Sequence, residues 1–181
     1  MSLLKAARRV SERDFALLWI CSVLGTRVAE LVELRRCDFN LIQGVAWIDV
    51  RKRGKNARPG RIYSVIPVAD RPHVDAWVKK FKGSAFIFPG QRSGRHITER
   101  TAQLVFKRAA RDAGILAVRP KSSIHSLRHT RAVLLLEQTG DVDYVQLCLR
   151  HQSRETTSKY LHAIPANIRK WTDSVSLLGG A

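Results

Sequence analysis

Apolar positions along the chain fall into helical spacing, then strand-like runs, then helical spacing again. Residues 15–24 are almost continuously apolar and follow Ser11-Glu12-Arg13-Asp14, which reads as a capping box opening a helix. Gly25 ends that helix. Thr26 stands where an N-cap belongs for a second helix over residues 27–34, with Val28, Leu31, Val32 and Leu34 on its apolar side. From Cys37 to Val68 the pattern changes. Residues 45–50 and 62–68 are rich in β-branched and aromatic residues, and with residues 39–42 they predict a small three-stranded antiparallel sheet.

Helical spacing returns over residues 70–81, where Val74, Trp77, Val78 and Phe81 are apolar. Residues 85–88 form a short apolar run closed by Pro89-Gly90. Thr98 is placed to cap a helix running through Ala113 and stopped by Gly114, with residues 115–124 expected as a loop. The next helix carries His125 and Arg128, is buried through Val133 to Leu136, and stops at Gly140. Asp141 caps another through Leu149, on which Tyr144 reads as a packing residue. Spacings of three and four at Ile168, Trp171, Val175 and Leu178 predict a last amphipathic helix. The fold class expected is therefore α+β and mainly α-helical, with one small three-stranded antiparallel sheet.

Composition narrows the partners. The chain has 181 residues, enough for one domain with a sizeable core, and 45% hydrophobic residues exclude a disordered basic tail. Lys+Arg number 32 against 15 Asp+Glu, a formal charge of +17, which on a folded domain points to a polyanion, nucleic acid before membrane. A ribosomal or RNA-coating protein would share that charge, so the motifs must decide. Cys21, Cys37 and Cys148 are odd in number and widely spaced, unlike a disulfide frame or zinc cage. No signal peptide or membrane-spanning run is seen, and a soluble intracellular protein is expected.

The chemistry concentrates between His125 and His162, a stretch holding four of the six histidines and two of the three tyrosines. His125 and Arg128 are three apart and share a helix face. His151 follows in a second turn, and Tyr160 lies nine residues later in a short helix capped by Ser153. Cations, imidazoles and a phenol gathered this closely point to phosphodiester chemistry with a tyrosine nucleophile. His125 and His129 have the four-residue spacing of paired zinc ligands, but Ser126 stands where a metalloprotease needs glutamate and no further ligand cluster follows. Gly-rich phosphate loops and a Gly-x-Ser-x-Gly elbow are absent, so the sequence offers nothing for ATP, NAD or acyl transfer. Between the second and third strands, Arg51, Lys52, Arg53, Lys55, Arg58 and Arg61 load a Gly/Pro-marked hairpin suited to a groove or phosphate backbone. Lys121 is a further candidate DNA contact.

These residues carry a resemblance. Gly25-Thr26-Arg27-Val28-Ala29-Glu30-Leu31 is similar to the Gly-x-Arg-x-x-Glu-Leu motif of the tyrosine recombinases, the phage-integrase-like family. Lys52-Arg53-Gly54-Lys55 resembles the family's hairpin lysine motif, and His125-Ser126-Leu127-Arg128 matches its His-x-x-Arg. Leu149-Arg150-His151 resembles its Leu-Gly-His, with Arg150 replacing the glycine, and Tyr160 stands at the family's spacing from that histidine. Five motifs in order over residues 11–178 are far more specific than any one. The resemblance implies a helical catalytic domain in which Tyr160 attacks the scissile phosphate and leaves a 3′-phosphotyrosyl link. It also implies that Arg27 and Arg128 clamp the non-bridging oxygens, and that Lys52, with Lys55 as the alternative, protonates the leaving 5′-oxygen. His125 would assist proton transfer and His151 would bond the phosphate, with no metal and no cofactor.

The expected organisation is a basic arm or linker over residues 1–10 and a catalytic domain over 11–181, without the separate N-terminal DNA-binding domain usual in the family. Expected partners are double-stranded DNA and further copies of the chain, as dimer or tetramer on DNA, in a prokaryotic, phage or mobile-element cytoplasm. A type IB topoisomerase shares the chemistry, but the spellings around Arg27 and His151 favour a recombinase. A DNA-binding regulator that keeps the fold without reacting is the reading from another class, and Tyr160 with its full set of partners argues against it.

Overall fold

A computed structural model describes residues 2–50, 60–81 and 83–149, with only the backbone at Val50, Arg61 and Ile62. The helix at the centre of the core is α2, Glu12–Leu24. Leu17, Leu18, Ile20, Cys21 and Leu24 are all buried, so neighbouring elements surround it on nearly every side. Ser11 caps it as expected, its hydroxyl accepting the Asp14 N–H at 3.0 Å. The other half of the box is absent. Asp14 has a short side chain, the Ser11 N–H already donates to Ala7, and the buried Asp14 carboxylate instead pairs with Arg13 and Arg108.

Residues 1–10, expected as a basic arm or linker, form α1, Leu3–Val10, capped by Ser2. Leu3, Ala6 and Ala7 lie on one helical face, and Ala6 and Ala7 are buried in the same core as α2. Small residues carry that face, so charge dominates the segment's composition while its packing is apolar. A second correction concerns the next helix. It is shorter than expected, α3 at Val28–Val32, and its N-cap residue is Arg27 rather than Thr26.

The sheet has the expected three antiparallel strands, β1 at Phe39–Asn40, β2 at Val45–Val50 and β3 at Gly60–Val65, in the order β1-β2-β3. Ala46, Ile48 and Ser64 face inward, while Trp47 and Tyr63 pair on the outer face with ring centroids 5.6 Å apart. The third strand stops at Val65 rather than 68 because Pro67 has no N–H to continue a ladder, and a 3-10 turn follows at Val68–Asp70. Helix α4, Arg71–Lys80, buries Val74, Trp77 and Val78, and the Trp77 indole donates to the Ile87 carbonyl at 3.2 Å. That bond fixes the short apolar run 85–88 against the core.

Thr98 caps α5, Glu99–Asp112, as expected. The segment 115–124, expected as a loop, contains one helical turn, α6 at Ile115–Val118, whose Ile115 and Leu116 pack on the core. Helix α7, His125–Thr139, and helix α8, Val142–Leu149, share a smaller cluster of Ala132, Leu135, Leu136, Val145 and Leu149. Tyr144 is not a packing residue; it is 39% exposed on α8. Among the described residues no helix is long and apolar enough to cross a membrane. The expected helix near residues 168–178 lies outside the described residues.

Two measurements check this core. The Thr26 hydroxyl is buried with the Cys21 thiol, a weak hydrogen-bonding partner, beside it, so Thr26→Val should change stability by less than about 1 kcal/mol, read from the urea midpoint. Burial pushes the Cys21 thiol up to about 12, which keeps it protonated at pH 8. Iodoacetamide at that pH should label exposed Cys37 and leave Cys21 unmodified until denaturant is added, as mass spectrometry of the peptides would reveal.

Candidate active site

The site begins where α2 ends. Gly25 adopts a left-handed backbone conformation, φ 58°, that turns the chain sharply toward α3. A β-carbon at Gly25 would lie 2.5 Å from Leu149 Cδ2 and 3.3 Å from Arg131 Cγ, so α7 and α8 both close on this turn. Two residues on, Arg27 sits at the N-terminus of α3. Its backbone N–H donates to Glu30 Oε2 at 2.8 Å and its guanidinium to Glu30 Oε1 at 2.7 Å. The local partner the sequence reading did not supply for Arg27 is therefore Glu30, whose side chain is only 8% exposed. One face of the Arg27 guanidinium is held, and the side chain keeps 27% exposure.

Arg128 enters from α7. Its residue is 7% exposed, with the guanidinium turned inward. One terminal nitrogen donates to the Gly25 carbonyl at 2.6 Å, and the other donates to the Leu149 carbonyl. A single side chain thus joins the turn two residues before Arg27 to the end of α8, two residues before His151. The spacing of His125 and Arg128 predicts a shared face, but their surroundings differ: His125 is exposed at the first position of α7 while Arg128 is buried one turn later.

The remaining expected residues are distributed as follows. Lys52, His151 and Tyr160, together with Arg51, Arg53, Lys55 and Arg58, lie outside the described residues. Arg61 is described only in its backbone, paired with Asp49 across β2 and β3. Lys121 is exposed and lines a groove of about 710 Å³ with Ser126, His129 and Glu137, a groove that includes neither Arg27 nor Arg128. Among the described residues no group of three or more His, Cys, Asp or Glu gathers as a metal site. Tyr144 faces a different crevice beside Cys148, whose thiol hydrogen bond holds the phenol proton and pushes its pKa up.

Arg128 thus brings the turn before Arg27, helix α7 and the end of α8 together at one junction. A family model described as the phage integrase family matches residues 1–166. This chain belongs to the phage integrase family. Tyrosine recombinase XerD of Pseudomonas putida is 32% identical over 172 residues, which cover 89% of this chain and 53% of that protein. Tyrosine recombinase XerC of Bifidobacterium longum is 34% identical over 164 residues, covering 84% of this chain and 44% of that one. The chain thus spans about half the length of these relatives. In fold, it superposes on the XerA recombinase with a TM-score of 0.72 at 23% identity, over 95% of this chain and 59% of XerA. The post-cleavage complex of the XerH site-specific recombinase with palindromic difH substrate gives 0.70, also at 23% identity, over 94% and 49%.

Sequence reasoning passed over Glu30, although it stood inside the first motif. Its signal was the three-residue spacing to Arg27, which lets a carboxylate reach an N-terminal N–H. The carbonyls of Gly25 and Leu149 carry no sequence signal. Replacing Gly25 by alanine should cost about 2–3 kcal/mol through the left-handed backbone and the overlap with Leu149. Arg128→Lys cannot reach both carbonyls with one fork and should lose about 2 kcal/mol. Denaturant unfolding monitored by circular dichroism checks both.

Proposed function

We propose that this chain is the catalytic part of a site-specific DNA recombinase that cleaves and rejoins strands through a tyrosine. The observation that carries the reading is the Arg128 guanidinium bridging the carbonyls of Gly25 and Leu149. That bridge draws the first arginine motif and the second arginine toward one point, with the chain leading on to His151 and Tyr160. Arg27 and Arg128 stabilise the charge that develops on the non-bridging oxygens. Tyr160 attacks phosphorus, its oxygen–phosphorus bond forming as the bond to the 5′-oxygen breaks. Lys52, with Lys55 as the alternative, gives its proton to that 5′-oxygen. His125 assists proton transfer around the tyrosine and His151 hydrogen-bonds the phosphate. Two arginines and a lysine supply the positive charge for which other phosphoryl-transfer sites use a divalent metal.

The substrate in this reading is double-stranded DNA, held along its backbone by Arg51, Arg53, Lys55, Arg58, Arg61 and Lys121. Copies of the chain assemble on it as dimers or tetramers, in the cytoplasm of a cell that carries the target sites. The solved complex of a lambda integrase dimer bound to a COC′ core site, TM-score 0.64, is consistent with a dimeric arrangement on DNA.

A pool of nicked suicide duplexes from DNA flanking the gene tests the reading. Incubated in EDTA without ATP, the wild-type protein should form a covalent adduct stable on a denaturing gel. Tyr160→Phe should bind the same DNA with unchanged affinity and form no adduct. Adducts that persist in Tyr160→Phe would remove the tyrosine from its assigned role. Binding without any wild-type adduct, from this chain and from a longer native one, would favour the regulator.

A further inference from the structure

The turn that presents Arg27 is held from two directions. Arg128 holds the Gly25 carbonyl from α7. From the sheet, the Ser64 hydroxyl donates to the carbonyl of Leu24, the last residue of α2, at 3.1 Å. Both residues are buried, at 5% and 2% exposure. The last carbonyls of a helix have no partner within the helix, and burial denies them water, so a donor must come from elsewhere. Ser64 lies on the inward face of β3 opposite Ala46, in a crevice of about 410 Å³ that Val23, Leu24, Leu135 and Leu149 also line. An inward strand position among such neighbours suits an apolar side chain, so packing does not account for a hydroxyl there.

We infer that Ser64 is a positioning residue, which sets strand β3 against the arginine turn and thereby the register between the general-acid lysine and the two arginines. The inference rests on the proposed tyrosine chemistry. Residues 51–59, with Lys52 and Lys55, join β2 to β3, and Ser64 is the fourth residue after Gly60, where β3 begins. During cleavage the arginines hold the non-bridging oxygens while the lysine must meet the 5′-oxygen as its bond to phosphorus breaks. A misplacement of about 1 Å between such groups can cost on the order of a hundredfold in rate. The bond from Ser64 to Leu24 spans 40 residues of sequence and ties together the two elements whose relative position matters.

The test uses two suicide duplexes that differ in one atom, oxygen or sulfur, at the bridging 5′ position of the scissile phosphate. Sulfur departs as a thiolate and needs no proton, so it bypasses the general acid but still needs the arginines and the tyrosine. Ser64→Ala removes the hydroxyl, Ser64→Cys keeps the volume with a poor donor, and Ser64→Thr restores the donor. Ser64→Ala and Ser64→Cys should cleave the oxygen substrate about tenfold more slowly, with DNA affinity unchanged within about twofold and the sulfur substrate cleaved at nearly the wild-type rate. Ser64→Thr should behave as wild type. Equal losses on both substrates, or no loss in Ser64→Cys, would overturn the inference while leaving the tyrosine reading intact. Should Ser64→Ala not fold, Ser64→Cys carries the comparison. A wild-type protein that cleaves neither duplex, as this chain and as a longer native one, would instead remove the tyrosine reading, and the inference with it.

Discussion

Arg128 carries a permanent positive charge into a site with 7% exposure, and such a charge is costly unless acceptors surround it. The carbonyls of Gly25 and Leu149 provide two, one at the end of α2 and the other at the end of α8. Both carbonyls point into this space because helix ends leave them without intrahelical partners. The guanidinium fork can therefore satisfy two helix termini at once, which an ammonium could not do with the same geometry. This coupling draws the smaller α7–α8 cluster against the main core around α2. Gly25 makes it sterically possible, since no β-carbon fits between the turn and Leu149.

The candidate site follows from this arrangement of ends. Arg27 stands at the start of α3, His125 at the start of α7, and Leu149 at the finish of α8. Helix starts expose N–H groups and helix ends expose carbonyls, so a carboxylate, Glu30, serves the start of α3 while a guanidinium, Arg128, serves the ends of α2 and α8. Glu30 complements this. Its carboxylate takes the Arg27 N–H and one guanidinium nitrogen, fixing the side chain's direction while leaving it partly exposed. A similar economy appears at the far end of α2, where Asp14 is almost fully buried and is neutralised by Arg13 and Arg108. In so basic a chain, the Asp14 and Glu30 carboxylates, both near helix starts, each find arginine partners.

Where side-chain chemistry acts locally, the sequence was readable. Ser11, Thr98 and Asp141 each accept N–H groups at the helix starts they were expected to cap, and Gly25 and Gly140 close helices with left-handed backbone. The errors arose where local signals were weak or outvoted. Helix α1 has only small and leucine residues on its inner face, so its cations concealed it. At Thr26 the usual capping preference lost to Glu30, because a carboxylate already serves the Arg27 N–H and the threonine is drawn into the core. Tyr144 shares its helix with Val142, Val145 and Leu147, yet only Val145 among those three is buried, since α8 packs along one narrow stripe.

By itself the sequence determined the helix and strand alternation, the small sheet, the family and the identity of the cations, because caps, periodicity and motif spacing are properties of neighbouring residues. It also marked Arg27 and Arg128 as belonging together, through motif order alone. Tertiary structure decided how Arg128 is held, that Glu30 braces Arg27, and that Ser64 reaches the end of α2. Those three outcomes depend on main-chain carbonyls and on burial, neither of which is written in side-chain identity. A carbonyl is present at every residue, and only packing decides which of them is left facing a donor.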